Sequence, residues 1–156
     1  QDWVVASIHS PCVPGLLTRK EANRIWLAVA REPLRGLHRP FRAGNYRYDY
    51  DLVTKAFAAN HKVVELNGNS FTSAKDGIPN MKALLAACLQ NGCHIAVDSD
   101  AHSTWQLRHG LTALYGMLEE MNFPDELIIN ATTANLTAEL KLHGKACAKE
   151  VGGILV

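Results

Sequence analysis

Short apolar runs that alternate with helical stretches are the feature that most restricts the fold of this chain. The runs lie at Trp3–Ile8, His61–Leu66, His94–Val97 and Leu127–Ile129. Between and after them, apolar residues recur with helical spacing at 19–31, 51–60, 79–90, 105–121 and 133–143. The runs are apolar along their length rather than alternating, which is typical of parallel strands covered on both faces. The sequence therefore predicts an α/β fold made of right-handed βα units.

Signals for helix ends accompany these stretches. Thr18 and Glu21 have the spacing of a capping box at the start of the first helix. Pro79 suits the first turn of the third helix, and the pair Asn91-Gly92 predicts its end. The helix limits therefore rest on end signals as well as on periodicity.

Composition excludes several classes of protein. The chain has 156 residues, is 47% hydrophobic and has a formal charge of +1, which predicts one domain and argues against nucleic-acid or membrane partners. No apolar run of about 18 residues predicts a membrane helix, and no signal-peptide pattern is seen. The cysteines have no C-x-x-C spacing, so we expect reduced thiols in a cytoplasmic protein. Because the chain opens directly on a strand, residues 1–156 are expected to be the later part of a longer protein.

Polar residues follow the apolar runs at the ends where function sits in such folds. The segment VDSDAHS (97–103) places Asp98, Asp100 and His102 at alternate positions. Carboxylate and imidazole suit zinc, manganese or iron, but a polar turn or a helix cap fits the same residues. Glu65 could be a ligand, a general base or a strand-end salt-bridge partner. His9 by itself is more often structural, and His61, His94, His109 and His143 are interpreted as surface or packing residues.

Four segments in order, DWVVASIHSP (2–11), GNYRYDYD (44–51), VVELNGNSF (63–71) and VDSDAHS (97–103), resemble the PHP (polymerase and histidinol phosphatase) superfamily. The likeness is to its YcdX-like phosphatase branch. It implies a distorted (βα)7 barrel, of which this chain holds only the later βα units as a partial barrel. It also implies two or three divalent metal ions, zinc first and manganese or iron as alternatives, and hydrolysis of a small phosphate monoester by metal-activated water.

The resemblance assigns roles to individual residues. His9, Asp100 and His102 match metal ligands of the family, and Asp98 is left with a structural role. Glu65 matches a rim position, where a catalytic role is possible. The substrate-proximal positions are Asn67, Asn69, Ser70 and Ser99.

The chain also departs from the family pattern. The opening H-x-H motif and further early ligands are absent, so about three ligands remain of a site that resembles one with eight or nine. Where the family has a G-H-x-G-N strand motif, this chain has the basic run 35–45, which suits a packed barrel wall poorly. A compensated pair of frameshifts in the encoding DNA would explain that run, and re-reading the DNA tests this hypothesis.

These departures leave alternatives to a working phosphatase. The chain by itself is expected to be incomplete or weakened, and its open sheet edges favour pairing with another chain, so a homo-oligomer is possible. One alternative is a degenerate, non-catalytic PHP interaction module. Another is a metal hydrolase of the amidohydrolase kind. A small phosphorylated substrate is the expected partner in the first interpretation.

Overall fold

The computed structural model describes residues 4–7, 17–32, 37–39, 48–69 and 77–143, with the backbone alone described for 37–39. The strands are β1 (Ala6–Ser7), β2 (Leu37–Arg39), β3 (Val63–Asn67) and β4 (Ile95–Asp98). The helices are α1 (Arg19–Arg31), α2 (Tyr50–Ala59), α3 (Gly77–Asn91), α4 (Thr104–Glu120) and α5 (Thr133–Leu142), with a 3-10 turn at Asp125–Leu127. The chain is therefore a mixed α/β fold, mostly helical, with a small sheet.

The sheet is parallel throughout its described part, as the unbroken apolar runs predict. Its order is β1-β2-β3-β4, and each neighbouring pair is parallel. In the best-defined pair Val64 lies beside Ile95 and Asn67 beside Asp98. Both strands consequently end at the same edge, and the loops that follow them start side by side.

Burial on both faces of this sheet is confirmed for β3 and β4. Val64 and Leu66 join the main core with the helices, whereas Val63 packs with Ala96 and Ile129 in a separate cluster on the other face. Alternate residues of a strand point to opposite faces. Glu65 and Asn67 therefore lie on the face of Val63, away from the main core.

Aromatic packing fixes the helices on the first face. Trp26 of α1 meets Phe57 of α2 edge-on with ring centres 6.2 Å apart, and both are fully buried. Tyr48 contacts Trp26 at 6.3 Å and Tyr50 at 4.7 Å. Tyr48, which precedes α2, and Tyr50, its first residue, thus contribute to packing.

The helix-end signals hold in the structure. Thr18 and Glu21 form the predicted capping box, and Gly92 has φ +62°, the left-handed conformation that ends α3. The helix predictions lie within two residues of the observed limits. The alternative in which Asp98 or Asp100 caps α4 is wrong, because Ser103 is the N-cap and its side chain accepts from the Gln106 N–H.

The predicted strand at 127–129 is wrong. Leu127 ends the 3-10 turn, and Ile128 forms an isolated parallel bridge with Ile95. Beyond it the Asn130 side chain accepts from the Val97 N–H at 3.0 Å and donates to the Val97 carbonyl at 2.7 Å. The Asn130 side-chain amide therefore pairs with the Val97 backbone where a further strand residue would, and the backbone after Ile128 leaves the sheet.

The basic run does contain a strand. Leu37–Arg39 forms β2 between β1 and β3, the place that the family resemblance gives to a strand. The remaining residues of the run, 35–36 and 40–45, lie outside the described residues.

A buried carboxylate joins α5 to the start of β4. Glu139, 2% exposed, meets His94 Nδ1 at 2.7 Å and His143 Nε2 at 2.9 Å; we call these three residues the Glu139 cluster. The hydrogen bond to Glu139 raises the pKa of His94. Burial alone would raise the pKa of Glu139, but the hydrogen bonds and charges of His94 and His143 lower it. His94 and His143 are packing residues, as interpreted, with an ionic role in addition.

Two cysteines fit the expectation of reduced thiols. Cys88 and Cys93 are free and buried, and a hydrogen bond with Cys93, together with burial, raises the pKa of Cys88. Cys12 and Cys147 lie outside the described residues. Among the helices of the described part, none has the length and apolar character that crossing a membrane requires.

Candidate functional site

The loops after β3 and β4 meet at the carboxyl edge of the sheet. Because Asn67 and Asp98 are register partners, the next residues run side by side, and the Asn69 N–H donates to the Ser99 carbonyl at 3.0 Å. The Ala101 N–H donates to the Ser99 hydroxyl at 3.3 Å. Ser99, predicted near substrate, thus has a structural part in the loop.

Side chains from the two loops form a connected polar group. Asn69 Nδ2 donates to Asp100 Oδ2 at 3.3 Å, and Gln106 Nε2 donates to Asn69 Oδ1 at 3.1 Å. Gln106 Oε1 accepts from the His102 N–H at 2.7 Å. The structure therefore brings together three of the predicted residues, Asn69, Asp100 and His102, and adds Gln106.

Asp100 has an unusual backbone conformation, with φ +41°. Residues with a Cβ disfavour this left-handed region, although aspartate tolerates it better than most. Such conformations cluster where a fold needs a particular side-chain direction. Here the conformation lies at the residue that the sequence singles out as a ligand.

His102 is oriented by its own loop. Its Nδ1 lies 2.8 Å from the Asp100 carbonyl oxygen. A carbonyl can only accept, so Nδ1 carries the proton of this bond, and in a neutral ring Nε2 then keeps its lone pair. Metal-binding histidines are typically held in this way, with one nitrogen on a carbonyl and the other toward the ion.

Glu65 and Asn67 lie deeper than the loop residues. They are 3% and 2% exposed, and Asn67 Nδ2 lies 3.4 Å from Glu65 Oε1 in donor geometry. Their place inside β3 puts them below the edge where Asn69 and Asp100 lie. Burial separates both side chains from solvent within the described structure.

The described residues account for only part of the predicted metal ligands and substrate-proximal positions. His9 and Ser70 lie outside them. Within the described ranges no group of three or more His, Cys, Asp or Glu side chains is placed to hold a metal ion. Asp100 and His102 have suitable donor chemistry, and further donors would have to come from the rest of the protein.

Gln106 is the residue that sequence reasoning missed. Its signal was present, because Ser103 and Gln106 have the S-x-x-Q spacing of a capping box. In the structure the Gln106 N–H donates to the Ser103 hydroxyl at 3.3 Å, while Gln106 Oε1 reaches past the cap to the His102 N–H. The motif therefore ties the start of α4 to the candidate ligand.

Two glycines let α4 approach this edge closely. A Cβ on Gly110 would lie 2.8 Å from the carbonyl carbon and oxygen of Gly68, and one on Gly68 would lie 2.8 Å from the carbonyl carbon of Gly110. Gly68 directly follows β3 and precedes Asn69. The backbone contact thus sets the distance between α4 and the Asn69 loop.

Comparison with known proteins finds relatives that are named as probable phosphatases. A protein of Caldicellulosiruptor saccharolyticus named "Probable phosphatase" is 30% identical over 92% of this chain and 59% of its own length. A second, from Caldicellulosiruptor bescii, is 32% identical over the same shares. "Probable phosphatase YE2421" of Yersinia enterocolitica is 28% identical over 98% of this chain and 62% of its own length. The chain spans about three fifths of the relatives it matches, and no family model matches it.

Proposed function

We propose that this chain is the later part of a metal-dependent phosphatase that hydrolyses a small phosphate monoester. The observation that carries the proposal is the pairing of Asp100 and His102 at the carboxyl edge of a parallel sheet, with His102 Nδ1 held by the Asp100 carbonyl. Relatives named as probable phosphatases match over most of the chain and support the reaction class.

The proposed ligands are Asp100, His102 and His9, with a divalent ion that is zinc or, alternatively, manganese or iron. The donor chemistry of Asp100 and His102 fits such an ion, because carboxylate oxygen and imidazole nitrogen are preferred by all three metals. When bound, the ion would supply an activated water and charge stabilisation at phosphorus. The PHP barrel, the remaining ligands and any homo-oligomer belong to this proposal.

The chain's own side chains would orient the site. The Asn69 amide donates to Asp100 Oδ2 and so helps to set the direction of the carboxylate. His102 keeps Nε2 as its acceptor because the Asp100 carbonyl fixes the proton on Nδ1. Glu65 is buried and accepts from Asn67 Nδ2, so its proposed role is support of the edge through Asn67, and a catalytic role stays a prediction.

The test is metal-dependent release of phosphate from p-nitrophenyl phosphate by the purified full-length protein that contains this chain. The protein is first treated with a chelator and then supplied with Zn²⁺, Mn²⁺ or Fe²⁺ separately. His102→Ala and Asp100→Asn are expected to lower the activity at least about 10-fold, since even the partners of metal ligands are worth 10–100-fold. His109→Ala is the matched control, because His109 is an exposed histidine of α4 that stacks on Trp105.

The outcomes separate the alternatives. Bound metal with amide or lactone hydrolysis and no phosphate release would support the amidohydrolase kind of enzyme. A full-length protein that binds none of the three ions and releases no phosphate would overturn the proposal and support a non-catalytic module. Equal activity in the wild type and His102→Ala would remove His102 from the site.

A further inference from the structure

We propose that Gln106 is a positioning residue of this site: its side-chain amide locks the loops after β3 and β4 together and, through Asn69, sets the direction of the Asp100 carboxylate. The part that concerns metal binding rests on the proposed function. The part that concerns the two loops does not.

The direction of the hydrogen-bond chain follows from one fixed donor. The His102 backbone N–H can only donate, so the group of Gln106 that meets it at 2.7 Å is the oxygen Oε1. Gln106 Nε2 then points to Asn69 and requires an acceptor there, which is Oδ1 at 3.1 Å. The donor end of the Asn69 amide is thereby turned to Asp100 Oδ2 at 3.3 Å. The backbone N–H of one candidate ligand, His102, thus fixes which group of Asn69 donates to the other candidate ligand, Asp100.

Gln106 joins parts of the chain that are far apart in sequence. Its bond to Asn69 spans 37 residues, and the Asn69–Asp100 bond spans 31. Ordering a glutamine side chain costs rotamer entropy, so a long side chain is held only where its contacts offset that loss. Both ends of the Gln106 amide are used, and the Gly68–Gly110 contact keeps α4 close enough for them to reach.

The variant Gln106→Glu tests the contact of Gln106 with Asn69 separately from its contact at the start of α4. A glutamate oxygen can still accept from the His102 N–H, so the start of α4 is retained. The donor to Asn69 is lost, however, and two oxygens face each other unless the Asn69 amide turns over. If it does, Oδ1 meets the Asp100 carboxylate, and the carboxylate loses the Asn69 donor. The effect of this substitution therefore falls on Asp100.

A matched control lies outside the site. Gln90 is an exposed residue near the end of α3, and its Nε2 donates to Asp51 Oδ1 at 3.2 Å. Gln90→Glu makes the same chemical change and likewise loses a side-chain donor, in this case to a carboxylate. Any general effect of added negative charge is common to both variants.

The first measurement is the affinity of the full-length protein that contains this chain for Co²⁺, monitored by visible absorption. Gln106→Glu is expected to weaken binding by about 10-fold, the lower end for groups that orient metal ligands, while Gln90→Glu leaves it unchanged. Because Gln106 acts through Asn69, the double variant Asn69→Ala with Gln106→Glu is expected to bind no more weakly than Asn69→Ala alone. Additive losses, or wild-type affinity in Gln106→Glu, would overturn the inference.

The second measurement needs no metal. In ¹H–¹⁵N spectra of the metal-free chain, Gln106→Glu is expected to shift the Asn69 side-chain NH₂ signals and to leave the His102 amide protected from exchange. Unchanged Asn69 signals would refute the positioning role whatever the metal result. If the wild type binds no Co²⁺ but the Asn69 signals shift as expected, the metal part of the proposed function has failed and the link between the loops stands.

Discussion

Replacing Gly110 or Gly116 by alanine makes the same change at two positions of one helix, yet the expected effects on the free energy of unfolding differ. Both lie inside α4. A Cβ at Gly110 would lie 2.8 Å from the backbone carbon and oxygen of Gly68, whereas a Cβ at Gly116 meets no heavy atom within 4 Å. Because the atoms opposite Gly110 belong to the backbone, they cannot turn aside as a flexible side chain would.

The expected magnitudes follow from two effects. Replacing glycine by alanine inside a helix stabilises by about 1 kcal/mol through helix propensity, and this gain is common to both variants. Forcing a methyl group into a filled contact costs about 1–3 kcal/mol. Gly116→Ala should therefore stabilise the protein by about 1 kcal/mol, and Gly110→Ala should lie about 1–3 kcal/mol below it.

Urea unfolding followed by circular dichroism measures this difference. With an m-value of about 2 kcal/mol/M, the two midpoints should differ by roughly 0.5–1.5 M. Coincident midpoints, or a higher midpoint for Gly110→Ala, would show that α4 is not held against Gly68. The account of how α4 reaches the candidate site would then be wrong.

Three further predictions concern the loops and the opposite end of β4. The free energy of unfolding of the wild type and of Glu139→Gln can be measured by urea unfolding at several pH values, and the difference should be greatest between pH 4.5 and 6.5. The pKa of Glu139 is lowered in the folded protein, so its stabilisation is lost as pH falls below 4.5. The pKa of His94 is raised in the folded protein, so its stabilisation is lost as pH rises above 6.5. A difference that stays level below pH 4.5 and above pH 6.5 would contradict the ion pair between Glu139 and His94. Asp100→Gly should be about 1 kcal/mol more stable than Asp100→Ala by thermal unfolding, because only glycine accepts φ +41° without strain; the reverse order would mean that Asp100 is unstrained. Asn130→Asp should destabilise by about 1–2 kcal/mol at pH 7, where a carboxylate faces the Val97 carbonyl, and by less at about pH 3, where the acid can donate; equal losses at both pH values would contradict the Asn130 pairing.

Local signals predicted much of the fold. The capping box at Thr18 and the glycine at position 92 act within a few residues of their own backbone, so their effects follow from sequence alone. Unbroken apolar runs likewise predicted a parallel sheet buried on both faces, which β3 and β4 confirm. Neither inference needed a contact between distant segments.

The predictions were wrong or incomplete where a side chain forms hydrogen bonds with a segment that is distant in sequence. Nothing in the run 127–129 shows that Asn130 will pair with Val97 in place of a further strand residue. Gln106 likewise has the local spacing of a capping box, yet the contact that matters is to Asn69, 37 residues away. Such contacts depend on how α4 is placed, and that placement depends on two glycines in different elements.

The two ends of β4 are held by different means, and this bears on how the candidate site can work. At its start, the Glu139 cluster joins the strand to α5 through a carboxylate that is 2% exposed. At its end, Asp100 and His102 lie in a loop that is partly exposed and strained, and the contacts of this loop include the side-chain amides of Asn69 and Gln106. Elements with few buried contacts open most readily, so the site end should exchange its amides before the anchored end does. Under the proposed function, a rigid start and an adjustable end would let the loop bind a ligand without loosening the sheet.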